Sequence, residues 1–214
     1  MMQKERYEWI QSWCDEADKT DKPRVLLVGD SITRGYEAIV RELLSDVCYV
    51  DYLATSYAAD NKLFSVLVED FAKNSNYSAV HFNHGLHGIQ MCPRTYKSKV
   101  KNLLLRLSQN SKIILAETTV VYKEGNKRPD PVWKKRVTER NEVVAELVTE
   151  LECAWDRLYD VSVSIPKELR SSDGMHYQVA GYEILADSVA KSILKVLKYS
   201  QAYFQRRYAK WQCV

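Results

Sequence analysis

The stretch RVLLVGDSITRG, residues 24–35, decides how the fold is read. Val25 to Val28 form an unbroken apolar run, the pattern of a strand covered on both faces rather than one that alternates between core and water. Gly29-Asp30-Ser31 interrupts the run, and the apolar positions from Ile32 to Leu44 then follow helical spacing. A buried strand that turns at once into a helix is the opening unit of a parallel α/β sheet.

The same alternation continues outward. Further β-rich runs occur at CYVDYL (48–53), SAVHFN (78–83) and KIILAE (112–117), with a weaker one at WDRLYD (155–160). Helical spacing is predicted between them, over Leu63 to Asn74, Tyr96 to Ser108 and Trp133 to Leu151, and again from Gln178 to Tyr199. The expected architecture is α/β, a parallel sheet of about five strands covered by helices on both faces. Residues 24–198 read as one domain, preceded by an amphipathic helix over 1–23. A helical extension over 199–214 is expected to pack back on the domain, a partner-binding role being the second reading. The long irregular stretch Thr118 to Asp130 follows a strand, where open α/β sheets carry their sites. In and beside it, Tyr122, Lys123, Arg128 and Trp133 are residues suited to a sugar or an acid group, an ordinary solvated loop being the equal alternative.

Composition narrows the partners. With 31 basic and 28 acidic residues the net charge is +3, and no basic stripe interleaves with aromatics, so nucleic acid is not an expected partner. Nor is a membrane, because no apolar run is long enough to cross one. The N-terminus lacks the apolar stretch of a secretory signal, and the five scattered cysteines include no C-x-x-C pair. Reduced thiols and a cytoplasmic location are the expectation.

Two short stretches carry chemistry. Gly-Asp-Ser at a strand-to-helix turn exposes Ser31 at the positive end of a helix, beside backbone N–H groups that lack partners. The plainer reading is a serine that caps the helix. The spacings of a phosphate-binding loop and of a dinucleotide fingerprint are both absent. Near the other end, Asp173 and His176 sit three apart in a turn before the last helix. There a carboxylate can reach one ring nitrogen while the other faces a nucleophile; the alternative is an ordinary Asp-Gly turn. If both loops lie at one sheet edge, nucleophile and base converge across about 145 positions.

The sequence resembles the SGNH, or GDSL-type, hydrolases. Gly29-Asp30-Ser31-Ile32-Thr33 matches their first block, and Asp173-x-x-His176 followed by Gly181-Tyr182 and Leu185-Ala186 matches their last. The resemblance spans about residues 24–198. It implies a flavodoxin-like three-layer α/β/α sandwich and serine ester hydrolysis without metal or organic cofactor. Ser31 is then the nucleophile, His176 the base, Asp173 its orienting partner and the Ser31 N–H one oxyanion donor. The second block of the family has a glycine where this chain reads LATSYAAD (53–60), which leaves the backbone of Ser56 or Tyr57 as donor. The third block has an asparagine where Gly85-Leu86-His87-Gly88 carries His87, whose imidazole N–H can donate the same bond.

The segment HFNHGLHG (81–88) holds three of the four histidines. A metal site is the competing reading, but His81 lies in a strand run and Gly85 interrupts any helix that would align the rings. The expected substrate is a small ester, foremost an acetylated carbohydrate. Longer acyl chains, as in a lysophospholipase or thioesterase, are the alternative, and a catalytically silent binding protein on the same fold is another. A homo-oligomer is compatible with all of these.

Overall fold

In the computed structural model, which describes residues 6–123 and 128–199, the run from Arg24 to Gly29 is a strand, β2. Val25 to Val28 have no exposed surface, and their side chains part to opposite sides of the sheet. Val25 and Leu27 join one apolar cluster, while Leu26 and Val28 join a second. Two-sided burial is why the run shows no polar alternation.

Six strands form the sheet: β1 (Ile10–Trp13), β2, β3 (Tyr49–Thr55), β4 (Tyr77–Asn83), β5 (Lys112–Ala116) and β6 (Ala154–Asp156), in the order β1-β3-β2-β4-β5-β6. All neighbours are parallel except β1, which runs antiparallel to β3 with Ile10 opposite Thr55 and Trp13 opposite Tyr52. Helices α1 (Ser31–Leu44) and α6 (Val179–Val196) cover one face together with the short α5 (Leu158–Ser164). Helices α2 (Lys62–Ala72), α3 (Pro93–Leu107) and α4 (Pro131–Leu151) cover the other. This is the expected three-layer sandwich, with one strand more than expected.

The additional strand is a correction. Among the described residues, the segment expected to be an N-terminal helix contributes β1 instead. All four β1 residues are exposed, so the strand has no buried face to betray it by alternation. It forms because the outer edge of β3 would otherwise leave its backbone N–H and C=O groups unpaired. The turn after β1 is fastened by Arg24, whose guanidinium donates to Asp51 Oδ1 at 2.7 Å and to the carbonyls of Asp15 and Glu16. WDRLYD is likewise divided, its first residues ending β6 and its last three beginning α5. The extension expected over 199–214 lies outside the described residues beyond Tyr199.

Candidate active site

β2 pairs with β3 on one side and β4 on the other, so the loops after β2 and β4 open at the point where the strand order reverses. Gly29 stands opposite Asn83 in this register. A Cβ on Gly29 would come within 2.4 Å of the Asn83 carbonyl oxygen and 1.9 Å of Thr33 Oγ1, so no larger residue fits the turn. Asp30 caps α1: its Oδ1 accepts from the Ile32 N–H at 3.0 Å. Its Oδ2 accepts from the Leu86 N–H at 3.4 Å, which ties the GDSI turn to the GLHG loop. The cap is therefore Asp30. Ser31, half-buried, is the first helical residue, and its N–H belongs to the group that has no acceptor within the helix.

The second half of the site is a closed turn before α6. Ser171 N–H donates to the His176 carbonyl at 2.8 Å, and Gly174 N–H to the Ser171 carbonyl at 3.1 Å. Inside it, Asp173 Oδ1 accepts from the N–H groups of Met175 (2.8 Å) and His176 (2.9 Å). Asp173 Oδ2 lies 2.6 Å from His176 Nδ1, and His176 Nε2 lies 2.8 Å from Ser31 Oγ. An ionised Asp173 can only accept, so Nδ1 carries the proton and Nε2 is left to accept from the serine hydroxyl. Burial alone would raise the Asp173 pKa, but the hydrogen bonds from the His176 backbone, the His176 ring and the Met175 backbone outweigh it and hold the carboxyl below its ordinary value.

Gly174 adopts φ +77°, and the Tyr122 N–H donates to its carbonyl at 2.8 Å. A Cβ there would meet the Tyr122 carbonyl oxygen at 2.2 Å. The backbone of Tyr122 thus supports the turn that holds Asp173 and His176. Trp133, expected as a site residue, packs instead against the cluster beneath α1 and α6.

Two expected oxyanion donors are corrected. The Ser56 N–H donates to the Trp9 carbonyl at 3.2 Å, and the Tyr57 N–H to Thr55 Oγ1 at 3.1 Å. Both amides are already engaged, one by the incoming N-terminal segment and the other by the end of β3. The His87 ring is half-buried, 6.4 Å from the Trp9 ring in an edge contact and 6.1 Å from the His84 ring.

The three crowded histidines diverge. His81 points into the interior, where its Nε2 lies 3.0 Å from Asp156 Oδ2 and its ring meets Tyr36 edge-on. His84 is buried under the loop with its ring 4.4 Å from that of Phe64, and burial pushes its pKa down to about 4, so it is neutral at physiological pH. His87 lies on the other side of Gly85, in edge contact with the Trp9 ring. Among the described residues no group of three His, Cys, Asp or Glu side chains is arranged to hold a metal ion.

Sequence reasoning missed two residues that shape this loop. Arg140, on α4, is 2% exposed and donates to the carbonyls of Gly88 (2.7 Å) and Met91 (3.2 Å), with its guanidinium 4.0 Å above the Tyr96 ring. Tyr96 in turn donates its hydroxyl proton to the His84 carbonyl at 2.7 Å. Burial lowers the Arg140 pKa, and carbonyl dipoles and the ring face offset the lost water. The available signal was an arginine on the apolar stripe Val137, Val143, Val144 and Leu147. Trp9 is the other, and nothing local announced it.

No protein-family model and no curated protein matches the sequence. Solved structures do. A protein from Slackia heliotrinireducens that carries the provisional name of SGNH hydrolase aligns over 81% of this chain and 100% of its own, with 16% identity and a TM-score of 0.64. A Bacteroides fragilis protein provisionally named an acylhydrolase aligns over 85% of this chain and 94% of its own, with 18% identity and a TM-score of 0.66. An acetylxylan esterase from Geobacillus stearothermophilus aligns over 83% and 95%, with 17% identity and a TM-score of 0.64. At these identities the likeness is one of architecture: this chain has the fold of the SGNH-type hydrolases.

Proposed function

We propose that the chain is a carboxylic ester hydrolase of the SGNH type that removes a small acyl group, foremost acetyl, through an acyl-enzyme on Ser31. The observation that carries this reading is the relay of 2.8 Å from Ser31 Oγ to His176 Nε2 and 2.6 Å from His176 Nδ1 to Asp173. These are the contacts a nucleophile, its base and the base's orienter require. The likeness of fold to an acetylxylan esterase supports the choice of acyl group.

The steps follow from the geometry. Ser31 Oγ attacks the ester carbonyl while His176 Nε2 takes its proton, and Asp173 stabilises the imidazolium that forms. The oxyanion is held by the Ser31 N–H at the helix start and by the His87 imidazole in the role of an amide. The tetrahedral adduct collapses, the alcohol leaves with the proton from His176, and water repeats the cycle to release the acid.

A fluorophosphonate probe tests the reading directly. Stoichiometric labelling of the peptide that contains Ser31, with loss of p-nitrophenyl acetate hydrolysis, is the expected result. Labelling elsewhere, or none, would leave a binding protein on this fold. The His87→Ala variant is expected to lower kcat by about 10²-fold with little change in KM, the usual loss on removing one oxyanion donor. An unchanged kcat would reduce His87 to a loop support.

A further inference from the structure

We infer that Arg34 and Trp9 form an anion-binding wall beside Ser31, and that the ester this site accepts carries an oxyanion group, carboxylate or phosphate, close to its acyl group. The inference rests on the hydrolase reading and names its substrate class. Arg34 follows Ser31 by three positions on α1, on the same helix face, and helical side chains lean toward the N-terminus, which here is the end that carries the nucleophile. Its guanidinium lies 5.5 Å from the centre of the Trp9 ring. Trp9 in turn meets the His87 ring, so Arg34, Trp9 and His87 make one continuous edge along the loops after β2 and β4.

Trp9 is fixed by its backbone. Its N–H donates to Ser56 Oγ at 2.9 Å, and its carbonyl accepts from Thr55 Oγ1 at 2.7 Å and from the Ser56 N–H at 3.2 Å. The backbone of Trp9 is thereby held in place, and a guanidinium already lies over the face of its indole. Arg34 itself is exposed and makes no ion pair among the described residues. The carboxylate one turn further on, Glu37, is turned toward Arg41 at 3.9 Å. A planar guanidinium over an aromatic face, 5.5 Å from its centre and without a carboxylate partner of its own among the described residues, matches the geometry of a carboxylate or phosphate. The charge is also needed. Asp30 and Asp173 both lie within a few residues of the reacting centre, and an anionic ester approaching them is repelled unless a cation meets it.

The test compares two acetyl esters of similar size, 4-acetoxybenzoate (anionic) and 4-acetoxybenzamide (neutral), with 4-acetoxyphenyl phosphate as the phosphate arm. Wild-type protein is expected to favour at least one anionic ester over the neutral one by 10-fold or more in kcat/KM, mainly through KM; the better of the two identifies the group. Arg34→Gln is expected to remove that preference and to leave the neutral ester within about 2-fold, and 0.5 M NaCl is expected to erode it in wild type alone. An equal loss on all three esters would make the Arg34–Trp9 stack a structural clamp and overturn the inference, as would a wild type without preference. If wild type hydrolyses none of them and takes no fluorophosphonate at Ser31, the hydrolase reading fails and this one with it. Labelling at Ser31 without turnover of either anionic ester overturns the anion wall alone.

Discussion

Replacing Ser31 with alanine is expected to lower kcat for acetyl ester hydrolysis by at least about 10⁴-fold while the protein stays folded. The size follows from what the hydroxyl does: without Oγ no acyl-enzyme forms, and His176 has only water to activate. The rest of the site remains, so a residual rate above the uncatalysed one persists, supplied by the oxyanion donors and by substrate positioning. Stability is expected to change by no more than about 1 kcal/mol. The helix cap is Asp30, not Ser31, and among the described residues the Ser31 hydroxyl bonds to His176 alone, at 2.8 Å. Steady-state kinetics on p-nitrophenyl acetate, with thermal melts of both proteins, checks both parts. A residual rate within 10-fold of wild type, in a variant that melts normally, would remove Ser31 from the mechanism.

The parts of this molecule that were legible in the sequence are those whose signal is local. β2 could be read because burial on both faces requires an unbroken apolar run, and the approach of Ser31 to His176 and Asp173 because they sit on two short turns, one closing a strand and one opening a helix. What stayed hidden depends on partners distant in the chain. β1 is exposed throughout and becomes a strand only because the edge of β3 is there to receive it. The same segment brings Trp9 to Ser56, across 47 positions, and in doing so occupies the amide that the sequence offered as an oxyanion donor. Arg140 reads as an interruption of an apolar stripe until the carbonyls of Gly88 and Met91 are seen above it. The histidine cluster was legible in the negative sense. Spacing of three aligns rings only on a helix, and here it runs from a strand into a loop, which sends His81 inward and His87 to the edge of the Trp9 ring.

The second large effect is expected at Asp173. Asp173→Asn should lower kcat by about 10⁴-fold, comparable to loss of the orienter in other triads, with the turn intact. The turn survives because the asparagine amide oxygen can still accept from the N–H groups of Met175 and His176, as Asp173 Oδ1 does. The ring is what changes. An amide NH₂ set against His176 Nδ1 favours the tautomer with its proton on Nε2, and that nitrogen then donates toward Ser31 instead of accepting from it. The stability of the variant supplies an independent check. Hydrogen bonding holds the Asp173 carboxyl below its ordinary value. A carboxyl whose folded pKa is depressed contributes stability that is fully present above its unfolded pKa, about 4, and is lost as pH falls through the folded value. The melting temperatures of wild type and Asp173→Asn are therefore expected to differ most above pH 5 and to converge as pH falls toward 3. The gap is small in absolute terms, because the Asp173 side chain is 48% exposed and solvent screens it. A variant that keeps its rate within 10-fold of wild type, or a gap that widens in acid, would mean that the 2.6 Å contact to Nδ1 does not orient the base.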